Sequence, residues 1–226
     1  MHAIQAETAI SMRLPATPRA VSISLRPREA WKLKRSVDVT LGSALLILSA
    51  PLLMALAVLI RIDSRGPAIY RARRVGKYGS DFWCYKLRTM VANADSLRTT
   101  LEEKNERDGI LFKIAYDPRV TRVGRFLRKF SLDELPQLWN VVRGDMSLVG
   151  PRPALPEEVA RYKREHFERL SVTPGITGAW QIRARRDPSF ESYIQLDTEY
   201  VRNWNFWLDI KIMLRTISVV LSGTGQ

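Results

Sequence analysis

The sequence predicts a mainly helical α+β fold, a monotopic membrane protein with an N-terminal re-entrant helix-break-helix, a small β-hairpin and amphipathic interfacial helices. Three observations predict it. The run VTLGSALLILSAPLLMALAVLI, residues 39–60, carries no charge, holds Pro51 near its middle and has basic residues on both flanks. Short aromatic and basic runs alternate around a Gly-containing turn at residues 76–79. The C-terminal stretch WNFWLDIKIMLRTISVVL, residues 204–221, sets a wide apolar face beside Asp209, Lys211 and Arg215, with its tryptophans leading.

Residues 1–30 carry scattered Pro, Ser, Thr and Arg without an apolar period, so they are expected to form a disordered basic tail. The rest, residues 31–226, is expected to be one domain, with the membrane hairpin at 36–61. A straight helix of about 22 residues reaches about 33 Å, barely the thickness of a hydrocarbon core of about 30 Å. Pro51 removes a helix hydrogen bond where such a span would need it. Lys32, Lys34 and Arg35 before the run and Arg61 and Arg65 after it both favour the cytoplasmic side. Two arms that enter and leave by one leaflet satisfy both observations; the alternatives are a proline-kinked span and a buried core helix, for which the run is long and purely apolar.

Further along, IYRARRVGKYGSDFWCYKLRTM reads as a basic β-hairpin. Residues 91–107 read as a solvent-facing helix, and DPRVTRVGRFLRK, 117–129, as a Pro turn leading into a basic helix. Residues 157–170 read as an exposed charged helix, and PGITG, 174–178, as a rigid turn. For residues 204–221 two readings are open: a helix lying at the membrane interface, or one packed on the core.

Composition narrows the chemistry. One cysteine, Cys84, permits no internal disulfide, and His2 and His166 lack ligand spacing, which removes zinc and thiol chemistry. A net charge of +13 calls for a polyanionic partner: nucleic acid, anionic lipid or a phosphate-bearing substrate. The stretch KFSLDELPQLWNVVRGDMSLVGPRP, 129–153, places Asp133 and Glu134 side by side. Ser131 with Glu134 three residues later has the spacing of a capping box, which accounts for Glu134 as a helix cap. Asp133 is left as a first-turn acid, and a helix start that favours anions also keeps a carboxylate ionised for nucleophilic attack. Lys86, Arg88, Arg119, Arg122, Arg125, Arg128 and Arg152 could neutralise phosphate oxygens.

KRSVD (34–38), the Pro51-broken apolar run, YKLRTM (85–90), DPRVTRVGRFLRKFSLDELPQLWNV, GDMSLVGPRP and PGITG with Gln181 occur together in one order. In these the chain resembles the monotopic phosphoglycosyl transferases, bacterial enzymes that begin exopolysaccharide or capsule assembly, over roughly residues 34–223. The resemblance implies a catalytic domain on the cytoplasmic face of the bacterial inner membrane. It implies transfer of a sugar 1-phosphate from a nucleotide diphosphate sugar, such as a UDP-hexose, to polyprenyl (undecaprenyl) phosphate, with release of UMP. Asp133 is the implied nucleophile, forming a phosphosugar-aspartate and also meeting Mg²⁺, with Glu134 assisting. Arg128 and Arg152 are implied phosphate contacts, with Lys86, Arg88 and Arg119 as further candidates. Membrane lipids are expected partners, nucleic acid is not, and self-association is compatible with a membrane-facing surface. Members of the family often place Ser directly before the hairpin proline; here Ala50 stands there and Ser49 one residue earlier. No multi-helix membrane domain of the kind larger relatives carry is expected before Trp31.

Overall fold

The computed structural model describes residues 28–223, except 95, 98, 99, 102–113, 115, 185, 186 and 188. Nearly all of the expected basic tail, and the second half of the helix expected at 91–107, lie outside the described residues. The described part of that second segment forms turns and a short 3-10 piece.

Helix α1 (Arg28–Asp63) runs through Pro51 as one helix of 36 residues. The helix assignment therefore does not break at the proline as expected. The Ser49 hydroxyl donates to the Leu46 carbonyl at 3.2 Å, one residue before the Ile47 carbonyl that Pro51 leaves without its helical donor. One stripe of α1 packs on the rest of the protein along almost its whole length. Trp31 stacks on Trp204 with centroids 4.2 Å apart, and Gly42 approaches Val141 so closely that a Cβ there would lie 3.1 Å from its Cγ1. Further on, Leu56 and Ile60 bury against Ala68, Leu87 and Leu127. The opposite stripe is bare: Ile47 is 72% exposed and Leu48 77%.

The KRSVD motif is structural. Lys34 donates to Asp209 at 2.6 Å and to the Val149 carbonyl at 2.9 Å, Arg35 donates to the carbonyls of Val141 and Val142, and Asp38 accepts from the Leu148 amide.

Strands β1 (Ile69–Val75) and β2 (Asp81–Leu87) form the expected antiparallel hairpin around a tight turn at Lys77–Gly79. Helix α2 (Arg122–Lys129), capped by the Thr121 hydroxyl, crosses the chain just after β2. It crosses at Gly124, where a Cβ would fall 2.0 Å from the Thr89 carbonyl oxygen. Helix α3 (Gln137–Arg143) follows, and β3 (Ser147–Val149) then pairs in parallel with β4 (Gly175–Thr177). The PGITG segment is thus a strand more than a turn, and its register on β3 presses Gly150 and Gly175 together. The helix expected at 157–170 is divided into α4 (Pro156–Val159) and a 3-10 segment, Arg164–Ser171. Its Val159, His166, Arg169 and Leu170 are buried, so it is not the exposed helix expected. Helices α5 (Ala179–Arg183), α6 (Phe190–Asn203) and α7 (Phe206–Leu221) complete the order. In α7, Asp209 and Ile212 are buried while Trp207, Leu214, Ile217 and Leu221 are exposed, so one face packs on the core and the other is apolar and bare.

Candidate active site

Asp133 and Glu134 lie on a single 3-10 turn, Leu132–Glu134, between α2 and α3. The preceding Ser131 adopts a left-handed conformation (φ 54°) and its side chain makes no cap hydrogen bond. The capping box expected there does not form, because a capping serine needs extended backbone. Glu134 instead pairs with Lys86 of β2, Oε1 to Nζ 2.8 Å.

The spacing of this pair is fixed by α3. Its buried Asn140 accepts from the Tyr85 amide at 3.1 Å and donates to the Trp83 carbonyl at 2.7 Å. One side chain thereby pins the helix behind the acidic turn to the edge of β2.

A cleft of about 740 Å³ opens in front of this turn, lined by Asp133, Glu134, Lys86, Arg128 and Arg152 among others. In the hairpin register Tyr70 faces Lys86, Ala72 faces Cys84 and Arg74 faces Phe82. Alternation thus puts Arg74, Cys84 and Lys86 on one face, and all three line the cleft. Arg128 donates from Nε to the Thr89 hydroxyl at 3.0 Å; burial lowers its pKa, countered by the carboxylates of Asp133 and Asp117. Arg152 stands on the loop after β3, its guanidinium between the rings of Trp180 (5.8 Å) and Tyr193 (6.0 Å), and 3.7 Å from the buried Glu158.

Two of the expected phosphate ligands are occupied by the fold. Arg88 lies against the cleft, but its guanidinium donates to the carbonyls of Ser64 and Arg65 at 2.6 and 2.8 Å and so closes the C-terminal end of α1. Arg119 is buried with its guanidinium spread over Asp117, Nη2 to Oδ2 2.6 Å, and also reaches the Ala94 carbonyl. The structure therefore gathers Asp133, Glu134, Lys86, Arg128 and Arg152 around one cleft, together with Arg88 and Arg119, whose guanidiniums also hold the chain around it. Arg74, Gln137, Trp180 and Gln181 also line the cleft, and sequence reasoning assigned none of them a site role. Strand alternation from Lys86, carried across the hairpin register to β1, is the signal that could have found Arg74.

A cleft lined by more basic than acidic side chains, with Asp133 and Glu134 adjacent on its wall, held against a long helix whose outer stripe is bare and apolar, defines a domain suited to a phosphorylated ligand beside a lipid surface. The chain matches the bacterial sugar transferase family model over residues 29–223, and it belongs to that family. It is 44% identical over 209 residues to the undecaprenyl-phosphate galactose phosphotransferase of Salmonella typhimurium, covering 89% of this chain and 43% of that protein. It is 41% identical over 197 residues to the exopolysaccharide production protein ExoY of Rhizobium meliloti, covering 85% of this chain and 87% of that protein. It is 40% identical over 205 residues to the undecaprenyl-phosphate glucose phosphotransferase of Komagataeibacter xylinus, covering 85% of this chain and 37% of that protein. The chain thus spans less than half the length of the Salmonella and Komagataeibacter proteins and most of ExoY.

Proposed function

We propose that this protein transfers a sugar 1-phosphate from a nucleotide diphosphate sugar, a UDP-hexose, to undecaprenyl phosphate at the bacterial inner membrane, as a first membrane step of exopolysaccharide assembly. The observation that carries the reading is the placement of Asp133 on the wall of a cleft otherwise rich in Lys and Arg. The acceptor is supported by the names of the Salmonella and Komagataeibacter relatives, and the pathway by that of ExoY.

In this reading a carboxylate oxygen of Asp133 attacks the sugar-bearing phosphorus. The bond from that phosphorus to the bridging oxygen breaks, and UMP leaves with the oxygen and its electron pair. A phosphosugar-aspartate remains. An oxygen of the lipid phosphate then attacks the same phosphorus, the aspartate leaves as carboxylate, and Glu134, held in place by Lys86, takes the proton the lipid phosphate gives up. Lys86, Arg128 and Arg152 face the phosphate oxygens, whose charge must be neutralised before an anionic nucleophile can approach.

Mg²⁺ is the cofactor this reading carries. Among the described residues no three His, Cys, Asp or Glu side chains are grouped to cage a metal. Magnesium asks for only one or two carboxylates and completes its shell with water and substrate phosphates, which Asp133 on the cleft wall fits. When bound there it would neutralise charge on the transferring phosphate.

The packing of α1 supports the proposed membrane seat. Both its ends dock on one body, through Lys34 to Asp209 and through Val123 to Asp63. With the buried Lys34, Asp38 and Gly42 counted beside the apolar residues that pack on the core, the longest stretch of α1 between packed residues is Leu46 to Leu53, about 10 Å of helix against about 30 Å of hydrocarbon. In this reading the helix dips into one leaflet together with the exposed faces of α2 and α7, a monotopic, re-entrant seat, and its basic flanks favour the cytoplasmic side.

Two experiments test these readings. Asp133→Asn is expected to abolish UMP release while the protein still fractionates with membranes; undiminished release removes Asp133 as nucleophile. Cysteines placed at Arg28 and Arg65 are expected to resist an impermeant reagent applied from the periplasmic side; labelling of one position alone means a true span.

A further inference from the structure

Behind the loop that carries Arg152 lies a buried ion pair for which the transfer chemistry has no role. Arg169, in the Arg164–Ser171 segment, is 1% exposed, and Asp197 of α6 is wholly buried. Arg169 Nη2 donates to Asp197 Oδ2 at 2.5 Å and to the main-chain carbonyl of Arg152 at 2.6 Å. The same Asp197 oxygen accepts from the main-chain amide of Arg152 at 3.3 Å. The phenol oxygens of Tyr162 and Tyr193 accept from the same guanidinium. One ion pair, assembled from two elements distant in sequence, thus grips both polar groups of a single residue's backbone. Neither partner lines the cleft.

Burying two charges is an expensive way to fill a core, and well-packed apolar side chains of similar volume often serve stability as well or better. What apolar side chains cannot do is fix the position of a peptide unit. Arg152 needs that fixing, because a loop residue that meets a phosphate must hold its guanidinium within a fraction of an ångström of the productive geometry. We infer that Arg169 and Asp197 are positioning residues, whose task is to set Arg152 between Trp180 and Tyr193 for a phosphate in the cleft. The inference rests on the proposed role of Arg152. Arg169 and Asp197 act only through it.

The test is a double-mutant cycle on the full chain in nanodiscs. The paired replacement Arg169→Met with Asp197→Leu is made with Arg152 intact and in the Arg152→Ala chain, and the dissociation constant for inorganic pyrophosphate is measured in all four proteins. With Arg152 intact, the paired replacement is expected to weaken pyrophosphate binding about 10- to 100-fold while the melting temperature is retained. In the Arg152→Ala chain it is expected to change binding by no more than about twofold. Equal losses in both backgrounds, no loss in either, or pyrophosphate binding indifferent to Arg152 overturns the inference. If the paired replacement does not fold, Arg169→Lys takes its place in the same cycle. It keeps the charge, but one ammonium cannot span Asp197 and the Arg152 carbonyl in the fixed fork of a guanidinium. This binding measurement decides the positioning role whether or not the wild-type chain turns over a nucleotide sugar. Turnover by wild type and Asp133→Asn decides the transferase reading separately.

Discussion

Replacing Asp209 by alanine probes the joint that seats the membrane helix. Asp209 is 4% exposed and takes hydrogen bonds from Lys34 at 2.6 Å, the Tyr200 hydroxyl at 2.8 Å and the Trp204 indole at 3.0 Å. The substitution takes the carboxylate from a buried ammonium, leaves Lys34 and the Tyr200 hydroxyl to share the Val149 carbonyl, and removes the acceptor of the Trp204 indole. Removing one partner of a buried pair costs about 3–5 kcal/mol, and for a domain of this length each kcal/mol lowers the melting temperature by about 2–4 °C. The expected loss is therefore on the order of 10 °C, read by scanning fluorimetry in detergent. Lys34→Met combined with Asp209→Leu leaves no stranded charge and is expected to lose much less. A single-variant loss below about 2 °C, or a double variant as damaged as the single one, would show that the pair does not hold α1 to α7 as described.

Three further outcomes follow from the same geometry. Gly124→Ala drives a methyl into the Thr89 carbonyl at 2.0 Å, so α2 must shift; a loss of about 1–3 kcal/mol in denaturant unfolding is expected, and a neutral variant contradicts the close crossing. Burial pushes the Asp117 carboxyl up, but the hydrogen bonds and charge of Arg119 push it down further, to a net value below its ordinary one. A depressed folded pKa gives stability that is complete above the unfolded value of about 3.9 and is lost as pH falls through the folded value. The stability gap between wild type and Asp117→Asn is therefore expected to close from about pH 4 downward; a gap that widens on acidification reverses the sign. Cys84 is 1% exposed and burial raises its thiol pKa. It is expected to stay unlabelled by maleimide at neutral pH until the protein unfolds, and prompt labelling of the native chain contradicts its burial.

Patterns carried by local chemistry were legible in the sequence, and pairings across distance were not. The apolar run with Pro51, the hairpin around Gly76 and the basic helix after Pro118 follow from periodicity and turn residues. PGITG looked like a turn because its strand is only Gly175–Thr177, and its partner Ser147–Val149 lies far away in sequence. Ser131 and Glu134 had capping spacing, yet a left-handed Ser131 and the approach of Lys86 redirected both. The arginines show the limit most clearly. Arg88, Arg119, Arg128 and Arg152 are equivalent as letters and all line the cleft, but Arg88 and Arg119 also hold carbonyls and a carboxylate of the fold. Only tertiary structure separates them, because an arginine's task is set by the acceptors that surround it.

The central claim is tested most directly by intact-mass and peptide mass spectrometry of the protein incubated with its nucleotide sugar and no lipid acceptor. The account predicts a sugar phosphate on the peptide bearing Asp133, lost when undecaprenyl phosphate is added and absent in Asp133→Asn. Turnover without any such adduct, or an adduct that persists in Asp133→Asn, would contradict it.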